Sequence, residues 1–498
     1  MAALRREFSE GEHLERLLRV GTCLAQCGYG AQVGALAATS RAFRADVQLW
    51  AVHARYRGRT GRTSLMHAAR KGDHDRVRFL VLGGAAVDAA DASGTTALIE
   101  ASRRGRLPSV RFLLEQPGVD VNAALVDDGK TALMWACQNG HVETACLLVE
   151  RGGANANAAQ TDDGTTALMW ASMDGHLEIV RVLVEHGGAN VNAAQTNNGF
   201  TALMWASLEG HLEVVRFLVE RGGANVNAVL NDDGFTALMW ASQKGHLEIV
   251  RCLVERGGAN VNAVQNDDGV TALMWASKEG HLEIVQLLVE RGGANVNSAT
   301  TTDGQTALMV ACQEGHLEIV RFLVERGGAN VNAARTDGGC TALMWACQEG
   351  HTEIVRFLME HGGANVNAAL TDCGLTALMG ASMDGHLKIV RILVERGGAN
   401  ANLATTNSGM TALMFACQEG HLETARFLIE RGNAVVNTAS TAYGYTALMC
   451  ASSMGHDEVV TLLLLRGADK LALNHGGQTA HDLAACVPRS KVRAALAR

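Results

Sequence analysis

Proline is nearly missing from this chain: three residues in 498, beside 55 glycines. That scarcity argues against a Pro-rich linker or an extended disordered tail. Aromatic residues make up only 4%, with seven tryptophans and four tyrosines. Nowhere do 18 apolar residues run together, so no membrane-spanning helix and no membrane partner are expected. The opening MAALRREFSEGEHLERLLRV is charged throughout and lacks an apolar h-region, so no signal peptide is expected. Catalytic signatures are also missing: there is no glycine-rich phosphate loop after a strand, no CxxC pair and no GxSxG elbow. Neither an enzyme nor a cofactor is expected.

What remains can still bury a large core, since 48% of the residues are hydrophobic. Length alone suggests about three domains, but repetition overrides that prior. Threonine followed by alanine or serine recurs at Thr63, Thr96, Thr131, Thr166, Thr201, Thr236, Thr271, Thr306, Thr341, Thr376, Thr411 and Thr446, and a threonine followed by alanine returns at Thr479. The spacing is 33 residues once, 35 ten times, then 33. A fixed period of this size marks a stacked array in which no single unit buries its apolar face alone. One solenoid is therefore expected in place of three domains.

Residues 199–234 show the plan of one unit. Gly199 closes a turn and Thr201 is a natural N-cap for a short helix from Ala202. Leu203, Ala206 and Ser207 form its buried stripe, and Gly210 can end it in a left-handed cap. A second helix opens at His211 with Leu212, Val215, Phe217 and Leu218 inward. RGGANVNA then turns the chain, with glycine and asparagine expected to supply unusual dihedrals, and AVLNDDGF forms an irregular finger leading to the next threonine.

The stretch GFTALMWASLEGHLEVVRFLVERGGANVN resembles the ankyrin repeat, and the resemblance covers residues 61–498. It implies an all-α solenoid of stacked helix-turn-helix units with irregular fingers. We read residues 61–476 as twelve repeats, residues 477–498 as a C-terminal capping half-repeat, and residues 1–60 as a separate helical segment. Three departures from the family pattern stand out. Alanine replaces proline, methionine (Met204) replaces histidine, and most units are two residues longer. The histidine's usual hydrogen bond to the threonine hydroxyl is thereby lost, and thioether packing is expected in its place. Cys137, Cys312, Cys347 and Cys417 stand where sister units have serine, so they read as small fillers and not as a disulfide framework. An intracellular location, cytoplasm or nucleus, is expected and secretion is not.

Three features bear on function. Trp135, Trp170, Trp205, Trp240, Trp275 and Trp345 share one position, two residues beyond the buried leucine and so about 200° around the helix from it. They should line the side formed by inner helices and fingers, either packed on their own finger or as a contact ladder for a partner. Val310, Gly380, Phe415 and Cys450 interrupt that row. Next, the residue before each threonine varies while its surroundings stay constant: Lys130, Thr165, Phe200, Phe235, Val270, Gln305, Cys340, Leu375, Met410, Tyr445. At a finger it is expected to be exposed, and large apolar side chains there suit an interface. The family resemblance likewise implies partner contacts at this position, although finger-to-finger packing is the other reading. Last, acids Asp174, Glu209, Glu279, Glu314, Glu349, Asp384 and Glu419 precede the Gly-His step, whereas Arg216, Arg251, Arg321, Arg356 and Arg391 fall on outer helices. Residues 1–128 carry a net +4 and residues 129–498 a net −12. Nucleic acid is therefore not expected as a ligand. A monomer binding a basic or amphipathic protein segment is expected, with cation–π contacts to the tryptophans.

His141, His176, His211 and their successors sit one repeat apart, too far for zinc, which needs nitrogens about 2.0–2.1 Å from one ion. They are expected to brace the turn between helices. Within residues 1–60, LAATSRAFRADVQLWAVHA resembles the second half of an F-box through Leu36, Ser40, Arg41, Phe43, Arg44, Leu49 and Trp50, without that motif's opening Leu-Pro. This resemblance implies a substrate receptor of a cullin-type ubiquitin ligase, with Leu36, Phe43, Leu49 and Trp50 binding the adaptor. A helical cap over the first repeat is the alternative.

Overall fold

The computed structural model describes residues 61–484 and 492–497. The F-box-like positions Leu36, Phe43, Leu49 and Trp50 lie outside them. Among the described residues there are 26 helices and no strands beyond isolated bridges. The chain divides into two compact units, at Asn225 and Val226. Each is a stack of antiparallel helix pairs, the all-α solenoid plan expected from the repeat.

The repeat beginning at Thr271, in the second unit, shows how the pattern produces the structure. Thr271 is extended (φ −106°, ψ 165°) and its hydroxyl accepts from the Met274 amide at 3.3 Å, capping inner helix Ala272–Lys278. Such a cap stabilises a helix by about 1 kcal/mol. Outer helix Leu282–Glu290 follows after Gly280, which has φ +82°. The inner helix packs on inner helices Ala237–Lys244 before it and Ala307–Glu314 after it, and on its own outer helix. This three-sided contact buries Ala272, Leu273, Met274, Ala276 and Ser277, a wider set than one stripe. Within the helix only Trp275 and Lys278 reach the surface, followed by the exposed cap residue Glu279. Outer helices bury one side: Val214, Val215, Phe217 and Leu218 in the first unit, so Val214 takes the inward place expected of Leu212, which is half-exposed.

Methionine at the substituted histidine position is buried throughout, and at Thr63 and Thr411 its sulfur also accepts from the threonine amide at 3.4 Å. Asparagine does not play its expected role. Glycine takes the left-handed turn, as at Gly188 (φ +61°), and Asn433 is the one non-glycine residue described with positive φ. The second asparagine of each NVN instead joins repeats. Asn192 Oδ1 accepts from the Asn225 amide at 2.6 Å and its Nδ2 donates to Gly223 O at 3.2 Å. Asn262 and Asn297 repeat this pattern in the second unit.

Candidate functional site

In each unit inner helices and fingers share one face, on which Lys130, Phe200 and Phe235 of the finger row pack against tryptophan rings. The six tryptophans are half-buried. Phe200 stacks on Trp205 at a centroid distance of 4.5 Å, and Phe235 on Trp240 at 4.5 Å. Phe235 also reaches Trp275 of the next repeat at 5.6 Å. Lys130 repeats the register in the first unit, its Nζ 4.1 Å from the Trp135 ring and 3.9 Å from that of Trp170. Phe235 and Lys130 thus each lie between the ring of their own repeat and that of the next.

This register corrects the expected exposure of the finger row. Phe200 (9% exposed), Phe235 (8%), Lys130 (5%) and Thr165 (4%) are buried, while Leu375, Met410 and Tyr445 are half-buried. The cause is the finger's closed hairpin. In the repeat at Thr271 the Gln265 amide donates to Val270 O at 3.0 Å and the Gly269 amide to Gln265 O at 3.1 Å, folding the return arm back over the inner helix. The Asn266 amide donates at 3.1 Å to Asp233 O of the preceding finger, so fingers are also tied to one another. The second acid of a finger is spent locally: Asp163 Oδ1 accepts from the Thr165 amide at 2.8 Å.

Cation–π contacts are present, but within the chain itself. Besides Lys130, Arg103 lies 4.1 Å above Trp135, and Lys278 is 5.3 Å from the Trp275 ring. Burial lowers the Lys130 ammonium pKa, and its Nζ donates to Gln138 Oε1 at 2.7 Å. Trp170 Nε1 donates to Gln160 Oε1 at 2.7 Å, whereas the indole nitrogens of Trp135, Trp275 and Trp345 are buried without a hydrogen-bond partner. Arg335 pairs with Asp303 at 2.7 Å and Asp337 at 2.6 Å, its guanidinium carbon 5.8 Å from Trp345.

Glu209, Glu279, Glu314 and Glu349 behave differently. All four are exposed at the C-terminal ends of inner helices, and none forms an ion pair among the described residues. The arginines of the outer helices are engaged where they stand. Arg216 and Arg356 pair with Glu213 and Glu353 three residues earlier, and Arg181, Arg321 and Arg391 lie 5.4–5.6 Å over Phe217, Phe357 and Phe427 of the following repeat.

The histidines connect repeats and do not brace their own turn. His211 Nε2 donates to Met173 O at 2.9 Å, and His351 Nε2 to Gln313 O at 3.0 Å. That carbonyl ends the preceding inner helix, where acceptors lack helical partners. The glycine two residues beyond it must lie flat against the ring: a Cβ on Gly175 would come within 2.5 Å of His211. Sequence reasoning missed this coupling, although the Gly-His step recurring from Gly140-His141 to Gly455-His456 was its visible trace. Among the described residues no group of His, Cys, Asp or Glu is arranged to hold a metal ion, and no helix is long and apolar enough to cross a membrane.

Compared with protein-family models, the sequence matches one described as ankyrin repeats (3 copies) in ten overlapping segments, the first at residues 36–125 and the last at 398–474. No curated protein was found that matches it.

Proposed function

The chain belongs to the ankyrin-repeat family, and from that premise we propose that it is a non-catalytic scaffold binding a protein partner through its inner-helix and finger face. Repeats of this family generally serve as protein–protein interaction modules and are typically non-catalytic. The observation that carries the reading is the exposed carboxylates without ion pairs among the described residues, Glu209 in the first unit and Glu279, Glu314 and Glu349 in the second, on the face that carries the half-buried tryptophan rings. A partner segment bearing Lys or Arg on one side and apolar groups on the other complements both. Charge at a rim steers association and sets its salt dependence more than its final affinity. The test is capture from the native cell extract with the full chain beside its fourfold Glu→Gln variant at those positions. Loss of captured partners at an unchanged melting temperature is the expected result; the same partners captured by both proteins would remove the reading.

A second reading rests on the F-box-like residues Leu36, Phe43, Leu49 and Trp50, which would make the chain a substrate receptor of a cullin-type ubiquitin ligase. Recovery of a cullin and its adaptor with the full chain, and their loss on Phe43→Ala with Trp50→Ala, is what this reading requires.

A further inference from the structure

Among the breaks in the row of rings in the second unit, Val310 and Cys450 keep a side chain and Gly380 has none. Inner helix Ala377–Met383 carries Gly380 where its neighbours Ala342–Gln348 and Ala412–Gln418 carry Trp345 and Phe415. Both neighbours pack against it, yet a Cβ added to Gly380 would meet nothing within 4 Å. Packing therefore does not require glycine here, and glycine inside a helix is less stable than any residue bearing a side chain except proline. The register seen at Phe235 and Lys130 identifies the walls of the vacant place. A ring at 380 would lie between Leu375 before its own threonine and Cys340 one repeat earlier, both half-buried. Met383, 36% exposed, stands beside it on the same helix.

Charge surrounds this apolar gap. Glu349, Asp384 and Glu419 lie four residues beyond ring positions 345, 380 and 415, about 6 Å along each helix. All three are exposed, and none forms an ion pair among the described residues. Lysine or arginine residues on either side of an inserted side chain would face these carboxylates.

We propose that the gap at Gly380 is a slot for one tryptophan side chain of a basic partner segment, which supplies the ring this chain omits. The proposal rests on the inner-helix and finger face being the partner-binding surface. It also assigns the place where apolar contact is concentrated, since Trp135, Trp170, Trp205, Trp240 and Trp275 are already covered by Lys130, Arg103, Phe200 or Phe235.

The experiment uses the full chain and two labelled peptides, acetyl-Lys-Arg-Trp-Lys-Arg-amide and its Trp→Ala counterpart, followed by fluorescence anisotropy. Wild type is expected to bind the tryptophan peptide at least about tenfold more tightly. Gly380→Trp should reduce that preference below about twofold, with an equal or higher melting temperature, because the slot is then filled from within. Gly380→Val, which copies Val310, fills the slot with a side chain already accommodated at this position of the repeat. Equal binding of both peptides by wild type, or an undiminished preference in both variants, overturns the proposal. Asp384→Lys with Glu349→Lys separates this from the broader reading. If wild type binds both peptides equally and the double variant binds neither, the acidic face stands and the slot falls. If wild type binds neither peptide, the slot and the basic-partner reading fall together.

Discussion

At single positions, near-identical repeats act as a built-in substitution series. Ser277 is fully buried and its hydroxyl has no hydrogen-bond partner, whereas Ser382 at the same place donates to Leu378 O at 2.7 Å. A buried unsatisfied hydroxyl costs about 1 kcal/mol or more. Ser277→Ala is accordingly expected to stabilise the protein by about 1 kcal/mol in urea unfolding, and Ser382→Ala to gain less. Cys312, Cys347 and Cys417 meet the same demand with a thiol; burial pushes these thiols well up, and they should resist alkylation until the chain unfolds. Among the described cysteines, half-buried Cys146, Cys340 and Cys373 should react first, as mass spectrometry of a timed iodoacetamide reaction would show. Lys130 is the costly member of its series. Its folded pKa lies below the ordinary 10.5, so the folded state binds its proton less well than the unfolded chain. Its burial therefore opposes folding at neutral pH, and stability contributed at this site rises as pH climbs from the lowered folded pKa toward 10.5. Lys130→Phe, copying Phe235 on Trp240, should raise the melting point by stacking worth about 1 kcal/mol and abolish that pH dependence.

At the scale of helices and turns, the Gly-His step links one inner helix to the next repeat. Gly315 has φ +86°, and a Cβ there would lie 2.6 Å from the His351 ring. Left-handed backbone costs a non-glycine residue roughly 1–2 kcal/mol, before any collision. Gly315→Ala should therefore destabilise by about 2 kcal/mol or more. His351→Ala removes the ring and with it the collision, leaving the backbone strain. A double-mutant cycle by chemical denaturation should show a favourable coupling between the two substitutions; strict additivity would mean the ring is not what Gly315 accommodates.

For the molecule as a whole, stability in a stack is a sum of repeat and nearest-neighbour terms, so the ends matter. Inner helix Ala447–Met454 is covered by Ala480–Ala484, and Leu448 and Met449 are only 1% exposed. Val492 and Leu496 of the final helix are buried as well. Deleting residues 477–498 should uncover this face and cost roughly 3 kcal/mol, from about two aliphatic side chains and their contacts. The readout is a lower melting temperature with increased binding of a hydrophobic dye. Charge acts over the same scale: with −12 over residues 129–498, association with any cationic partner should weaken as salt is raised from low to physiological strength.

Period, helix pairs and caps were legible in the residues, because they depend on local chemistry: Thr271 accepts from the amide three residues on, and Gly210 adopts a left-handed conformation that side chains disfavour. So were the exposed acids, since a charged residue at a short helix's end has no core to enter. Contacts between repeats were not legible. One period cannot show that Asn192 bonds the next repeat, that His211 caps the previous one, or that a finger folds back far enough to bury Phe235 on Trp240. The sequence by itself determined a repeating helix pair with one variable side chain at its finger. Only the tertiary structure decided that this side chain lies between successive rings and that Gly380 leaves such a place vacant, because both depend on how neighbouring repeats stack.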